Sequence, residues 1–135
     1  MINVLIVDNF PSILDLLRLA LRDYWDTLTV HTARDGLEAY RILHSHQIDL
    51  LITDLIMPRV SGFELIHYVN NFQSHIPVIV MTASVPFIEL AREDLSIKHF
   101  FLKPFPLESF IEVVLSEIYR SSKPVQVPTY KKLLR

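Results

Sequence analysis

Five short apolar runs alternate with five longer amphipathic segments along the chain, and this alternation limits the possible folds more than any other feature. The apolar runs have the length of β-strands and cover residues 3–7, 29–33, 50–53, 78–81 and 100–102. The amphipathic segments have the length of helices and cover residues 12–24, 35–44, 62–72, 86–94 and 107–119. Most of the runs are continuously apolar, as strands are when helices cover both faces of a parallel sheet. The sequence therefore predicts the α/β class, with a (βα)5 doubly wound, five-stranded parallel sheet.

The first helix carries a start signal in the sequence. Pro11 is followed by the pattern Ser12-x-x-Asp15, which is typical of a helix N-terminus. We therefore place the beginning of this helix at Ser12 and its end at Tyr24.

The charges divide the chain into two parts. Residues 1–119 contain 8 basic and 15 acidic residues, whereas residues 120–135 contain five basic residues and no acidic one. We predict one domain over residues 1–120 and a basic C-terminal tail or linker over residues 121–135. The acidic domain argues against direct contact with nucleic acid, and the tail alone is too short to form a binding domain.

The composition excludes further classes of protein. The chain contains no cysteine, which excludes disulfides and thiolate metal sites. Its first residues lack the basic region and cleavage site of a signal peptide, and no apolar stretch reaches the ~18 residues of a membrane span. We expect a cytoplasmic protein that makes no contact with a membrane.

Polar side chains stand at the end of four of the predicted strands. They are Asp8 and Asn9 after the first strand, Asp54 after the third, Thr82 after the fourth and Lys103 after the fifth. Ligands of such folds bind at the carboxyl ends of the strands. Taken singly, these residues could be caps, turn formers or solvated side chains. Asp54 is the exception, because a carboxylate that interrupts an apolar run is costly unless it is partnered or functional.

Together these residues indicate phosphoryl transfer. An aspartate can act as the nucleophile that carries a phosphoryl group. Acidic side chains with a backbone carbonyl suit Mg²⁺, which usually takes one or two carboxylates. A lysine, a threonine and the metal can neutralise the charge of the phosphoryl oxygens.

Over about residues 2–120, the sequence resembles the receiver domains of two-component response regulators. The matching motifs are Val4-Leu5-Ile6-Val7-Asp8, Asp35-Gly36-x-Glu38-Ala39, Asp54-x-x-Met57-Pro58-x-x-x-Gly62, Thr82-Ala83 and Lys103-Pro104-Phe105. The resemblance implies the flavodoxin-like receiver fold and a switch driven by phosphorylation.

The resemblance also implies a role for each site residue. Asp54 would be phosphorylated by a histidine kinase or a small phosphodonor. Thr82 would bond the phosphoryl group, and Lys103 would pair with Asp54 or its phosphate. Phe100 would be the aromatic switch residue, and the Lys103–Pro104 bond would be cis. The implied Mg²⁺ ligands are Asp8, Asn9, Asp54 and the backbone carbonyl of Ile56.

The implied partners are a histidine kinase or a phosphotransfer protein and an unidentified downstream effector, and a homodimer is compatible with the pattern. The chain would not be an enzyme beyond its own phosphorylation and dephosphorylation. In the family, the residues two positions after the acceptor and after the threonine flank the path of the hydrolytic water. Here they are Ile56 and Ser84, which predicts a slow loss of phosphate.

The sequence departs from the family pattern at three places. Asn9 stands where the family has a second acid, Ser96-Ile97 replaces the usual Gly-Ala, and Phe100 replaces a tyrosine. Asn9 favours an alternative, a pseudo-receiver whose partner binding does not depend on phosphate. An unrelated flavodoxin-like binding domain is a weaker alternative, because the two glycines, Gly36 and Gly62, cannot form a glycine-rich phosphate loop.

Overall fold

A computed structural model of the chain describes residues 1–95, 97 and 99–120. Within these residues five parallel strands form one sheet of order β2-β1-β3-β4-β5. The strands are β1 (Ile2–Val7), β2 (Leu28–Ala33), β3 (Leu50–Asp54), β4 (Val78–Thr82) and β5 (His99–Leu102). The α-helices are α1 (Pro11–Ala20), α2 (Gly36–Ser45), α3 (Gly62–Phe72), α4 (Val85–Leu95) and α5 (Leu107–Arg120). The predicted (βα)5 doubly wound sheet is confirmed, whereas the predicted tail at 121–135 and Ser96 lie outside the described residues.

The helices cover both faces of the sheet. On one face, α1 and α5 pack on β1, β3 and β4 through Leu17, Ile52 and Phe110. On the other face, α2, α3 and α4 pack on the opposite sides of the same strands, for example through Leu51 and Leu65. Because both faces are buried, the strands need continuous apolar runs, which is the pattern that the sequence has.

The first helix differs from its prediction at both ends. It begins at Pro11 rather than Ser12, after an extended Phe10 that offers no side-chain cap. A proline is favoured at this position because its missing N–H would have no partner in the first turn anyway. The α-helix ends at Ala20, and a 3₁₀-helix from Arg22 to Tyr24 follows. Periodicity could not show this break, since Leu21 and Tyr24 pack on the core in either type of helix.

Two other helices have side-chain caps of the expected kind. The Asp35 carboxylate accepts a hydrogen bond from Glu38 N at 2.8 Å and caps α2. The Ser61 hydroxyl accepts one from Glu64 N at 3.2 Å and caps α3. Both satisfy an N–H group that the first turn leaves without a partner.

The strand register brings the predicted site residues to one edge of the sheet. Val7 pairs with Thr53, Asp54 with Met81 and Thr82 with Leu102. The carboxyl ends of β1, β3, β4 and β5 therefore meet, on either side of the point between β1 and β3 where the strand order reverses. None of the helices in the described residues is long and apolar enough to span a membrane.

Candidate functional site

Two buried carboxylates share one ammonium group at this edge. Asp8 is fully buried and Asp54 is 7% exposed. Lys103 Nζ donates to Asp8 Oδ2 at 2.5 Å and to Asp54 Oδ2 at 2.9 Å. Two negative charges thus face one positive charge, so the cluster carries a net negative charge.

The lysine remains protonated in this setting. Burial alone would lower the pKa of Lys103, but hydrogen bonds and charge attraction from Asp54 and Asp8 outweigh burial and raise its pKa above 10.5. Lys103 is therefore a permanent cation at neutral pH.

Each carboxylate also has one oxygen in a local turn. Asp8 Oδ1 accepts a hydrogen bond from Phe10 N at 3.0 Å, and Asp54 Oδ1 accepts one from Ile56 N at 3.2 Å. Such turns are a common local role of aspartate. Asp8 therefore forms a local turn through Oδ1 and contacts Lys103 through Oδ2.

The loop after Asp54 folds back so that its last residues contact the end of β3. Gly62 N donates to Leu55 O at 2.9 Å. A Cβ atom added to Gly62 would lie 2.0 Å from the carbonyl oxygen of Asp54, closer than any real side chain could approach. Only glycine fits there, which explains the spacing between Asp54 and Gly62 in the motif.

Thr82 lies beside the carboxylates with its hydroxyl engaged by the next turn. Thr82 is 1% exposed, and its Oγ1 accepts a hydrogen bond from Ser84 N at 3.2 Å. Ser84 Oγ in turn accepts one from Phe87 N at 3.3 Å at the start of α4. Lys103 N donates to Thr82 O at 2.8 Å and joins β4 to β5 at this end. The Lys103–Pro104 peptide bond is cis, as predicted.

An open cleft of about 560 Å³ lies over these groups. It is lined by Asn9, Phe10, Ser12, Ile13, Asp54, Ile56, Thr82, Ala83, Ser84 and Lys103. Ile56 is 50% exposed there. One cleft is therefore lined by Asn9, Asp54, Ile56, Thr82 and Lys103, and the fully buried Asp8 joins this group through its contact with Lys103.

The donor set of this cleft suits Mg²⁺. The described residues contain no group of three His, Cys, Asp or Glu side chains that could hold a metal. Mg²⁺ usually needs only one or two carboxylates and takes its other oxygens from carbonyls, water or phosphate. Asp8 and Asp54 place two carboxylates around Lys103, and two of the residues that line the adjoining cleft, Asn9 and Ile56, carry uncharged oxygens.

Phe100 does not reach the cleft. It is half-buried on β5 and packs against the cluster that includes Ala91 and Leu95 of α4. The guanidinium carbon of Arg92 lies 5.1 Å from the centre of its ring, within the range of a cation–π contact. Sequence reasoning missed this contact, because neither residue stands out in a periodic helix or strand.

Sequence reasoning also missed the apolar mouth of the cleft. Phe10 and Ile13 line it beside Asn9, and Phe10 is exposed. The sequence did contain a signal for this apolar mouth. Phe10 follows the polar residues Asp8 and Asn9 and precedes Pro11, so it has no helix face or strand to pack on.

The sequence pattern of the family "Response regulator receiver domain" matches residues 4–115. The chain belongs to this family. It is 36% identical to a probable transcriptional regulator, ycf27, of Cyanidium caldarium, over 86% of this chain and 47% of that protein. The structure resembles a response regulator receiver domain protein from Clostridium thermocellum, with a TM-score of 0.76, 25% identity and full coverage of both chains. It also resembles response regulator protein TrrA from Thermotoga maritima in complex with Mg²⁺-BeF, with a TM-score of 0.73, 29% identity and coverage of 87% and 99%.

The family confirms the predicted flavodoxin-like receiver fold and the predicted class of function. Receiver domains act in phosphorylation-dependent two-component signalling, use Mg²⁺ for phosphorylation, and interact with histidine kinases or phosphotransfer proteins and with effector domains. Nothing in the structure or the relatives favours the pseudo-receiver alternative. The chain spans about half the length of the curated relatives it matches.

Proposed function

We propose that Asp54 is the phosphate-accepting residue of a Mg²⁺-dependent receiver switch. The observation that supports this most strongly is the buried pair of carboxylates with a single shared lysine at an open cleft. Such a cluster needs another cation and offers a nucleophile beside it.

In this proposal a carboxylate oxygen of Asp54 attacks the phosphorus atom of a phosphohistidine. The bond from phosphorus to the histidine nitrogen breaks, and an acyl phosphate forms on Asp54. The Lys103 ammonium moves from a shared carboxylate contact to one with the phosphoryl oxygens, which it stabilises by charge. The Thr82 hydroxyl is free to donate to a phosphoryl oxygen, because it acts only as an acceptor in its hydrogen bond with Ser84 N.

The proposed Mg²⁺ ligands are the side chains of Asp8, Asn9 and Asp54 and the backbone carbonyl of Ile56. When bound, Mg²⁺ would offset the negative charge of the phosphoryl oxygens and of the two carboxylates. Asn9 provides an oxygen without a charge, so we expect metal binding that is weaker than at a site with three acids but not abolished.

The proposed switch links the cleft to Phe100. Thr82 is held by the turn that starts α4, and Phe100 packs on the same helix. A movement of Thr82 toward the phosphoryl group would release Ser84 N and let α4 and Phe100 move together.

We also propose a kinase or phosphotransfer protein as the phosphodonor. The cleft continues into a neighbouring apolar groove of about 440 Å³ between α1 and the segment after β5. The two share Ile13, Ala83 and Lys103, so a protein bound in the groove would place a phosphohistidine over Asp54. We place the chain in the cytoplasm, with an unidentified downstream effector and no direct contact with nucleic acid. We take residues 1–120 as the receiver domain.

Intact-mass measurement after incubation with a small phosphodonor tests the proposal. We expect the mass of one phosphate to appear with Mg²⁺ and to be absent when a chelator replaces the metal. A parent protein that stays unmodified with Mg²⁺ would favour the pseudo-receiver alternative.

A further inference from the structure

The Asp35-Gly36 motif has no part in the phosphoryl chemistry, yet it lies against the loop that carries Ile56. A Cβ atom added to Gly36 would lie 2.1 Å from the carbonyl oxygen of Val60 and 2.5 Å from its Cβ. The nearest obstacle is backbone, which cannot turn aside as a flexible side chain can. Glycine therefore lets the first turn of α2 and the loop of residues 55–61 come into direct backbone contact.

Asp35 makes a second connection between the same two segments. Its Oδ1 accepts from Glu38 N at 2.8 Å and caps α2, while its Oδ2 lies 3.5 Å from an Arg59 guanidinium nitrogen. Arg59 has a φ of 68°, in the left-handed region that residues with a Cβ atom rarely adopt. Such a backbone persists only where its surroundings hold it.

The loop is thus held at three points. The hydrogen bond of 2.9 Å between Gly62 N and Leu55 O joins its ends, Arg59 pairs with Asp35, and Val60 packs on α2. Ile56 lies between the fixed start of the loop and its contact with α2. Any displacement of the loop from α2 would therefore move the Ile56 carbonyl relative to Asp54.

We propose that Asp35 and Gly36 are positioning residues for the Mg²⁺ site. They hold the loop of residues 55–61 so that the Ile56 carbonyl stays beside the carboxylate of Asp54 in a geometry that accepts the metal. This inference rests on the proposed function, since it assumes that Ile56 is a ligand.

Mg²⁺ titration of the Gly36→Ala variant by calorimetry tests the proposal. We expect a Kd about tenfold higher than that of the parent, as when a supporting group behind a metal ligand is lost. Ile42→Ala is the matched control, because Ile42 packs α2 on the core without belonging to the loop contact. It should lower the melting temperature without changing the Kd. Equal Kd values for the parent and Gly36→Ala would overturn the proposal.

Variants of Arg59 distinguish an effect of loop position on the Mg²⁺ affinity from a direct effect of charge. Replacing Arg59 by Glu adds negative charge, so charge alone predicts tighter Mg²⁺ binding. Positioning predicts the opposite, about fivefold weaker binding, because Glu would repel Asp35 and open the loop. Asp35→Asn in the Arg59→Glu background should restore the Kd to within about threefold of the parent, since Asn keeps the cap and ends the repulsion. Tighter binding by Arg59→Glu would contradict the proposal.

The two proposals fail in distinguishable ways. A parent that binds no Mg²⁺ would overturn the proposed function and this inference with it. A parent that binds Mg²⁺ and is phosphorylated, beside variants with unchanged Kd, would overturn the positioning role alone.

Discussion

Two clusters of buried charge lie at opposite ends of β5, and they differ in the number of partners that each acid has. Just after the strand, Lys103 is shared between Asp8 and Asp54. The cluster has two acids for one cation, and it opens into the cleft of about 560 Å³ that Asn9 and Ile56 line.

At the start of the strand a single acid has two partners. Glu117 of α5 is 7% exposed, and its Oε1 lies 2.6 Å from His99 Nε2. Arg120 donates to the same oxygen at 3.3 Å. One acid therefore has two basic partners, and nothing in this cluster calls for an added cation.

Burial of a charge therefore does not by itself mark a functional site. A buried carboxylate with enough partners is a structural element, whereas a pair of carboxylates with one partner between them is a place where a cation or a phosphoryl group can bind. Substitutions that alter the balance of charge at one end of β5 should leave the other end unchanged.

The largest effect on stability is expected for Lys103→Met, which leaves two buried carboxylates without a cation. We expect a loss of roughly 3 kcal/mol in the free energy of unfolding, the usual cost of breaking a buried pair. The pKa of Lys103 is raised in the folded state, so its contribution is complete below pH 10.5 and is lost as the pH rises through the folded value. Urea unfolding should show a constant difference between parent and variant from about pH 7 to 9, and a smaller one above 10.5. A difference that already shrinks near pH 8 would show that the lysine is not held as a cation.

The next effect is on the metal, for Asn9→Asp. A third carboxylate adds attraction for a divalent cation, so Mg²⁺ should bind on the order of tenfold more tightly, or ~1.4 kcal/mol. A calorimetric titration of parent and variant measures this directly. Equal affinities would show that Asn9 is not a metal ligand.

A substitution at the start of β5 should change the stability of the protein and not its Mg²⁺ affinity. Glu117→Gln weakens the contacts with His99 and Arg120, and we expect a loss of about 1–2 kcal/mol in the free energy of unfolding. The Mg²⁺ affinity should not change, because this cluster lies at the opposite edge of the sheet. A shift in Mg²⁺ affinity would mean that the two clusters are coupled through β5.

The smallest effect concerns the rate at which phosphate is lost. Ile56 offers no group that could orient water, and Ser84 is short, so the parent should dephosphorylate slowly. Ile56→Asn could position the attacking water, and we expect a rate a few-fold faster at saturating Mg²⁺, on the scale of one added polar contact. Release of inorganic phosphate from the phosphorylated proteins is the measurement. A parent as fast as the variant would refute the idea.

The sequence predicted the sheet and most helix positions because both depend on local periodicity. The bounds of α3 match the prediction at Gly62 and Phe72, and each strand agrees to within one residue at either end. The break after Ala20 was missed because an apolar face continues across it. Local patterns specify which face is buried, not which type of helix carries it.

The site was predictable to the extent that it consists of strand ends. The topology alone brings Asp8, Asp54, Thr82 and Lys103 to one edge, so their meeting followed from the fold. Side-chain contacts between different elements were not predictable. The pairing of Arg59 with Asp35 and the stacking of Arg92 on Phe100 depend on how a loop and a helix settle on their neighbours.

The central claim is that Asp54 accepts the phosphoryl group, and intact-mass measurement of Asp54→Asn tests it most directly. After incubation with a small phosphodonor and Mg²⁺, the parent and the control Asp15→Asn, which changes an exposed aspartate of α1, should each gain the mass of one phosphate. Asp54→Asn should gain none, and its circular dichroism spectrum should match that of the parent. Phosphate that persists on Asp54→Asn would contradict the account.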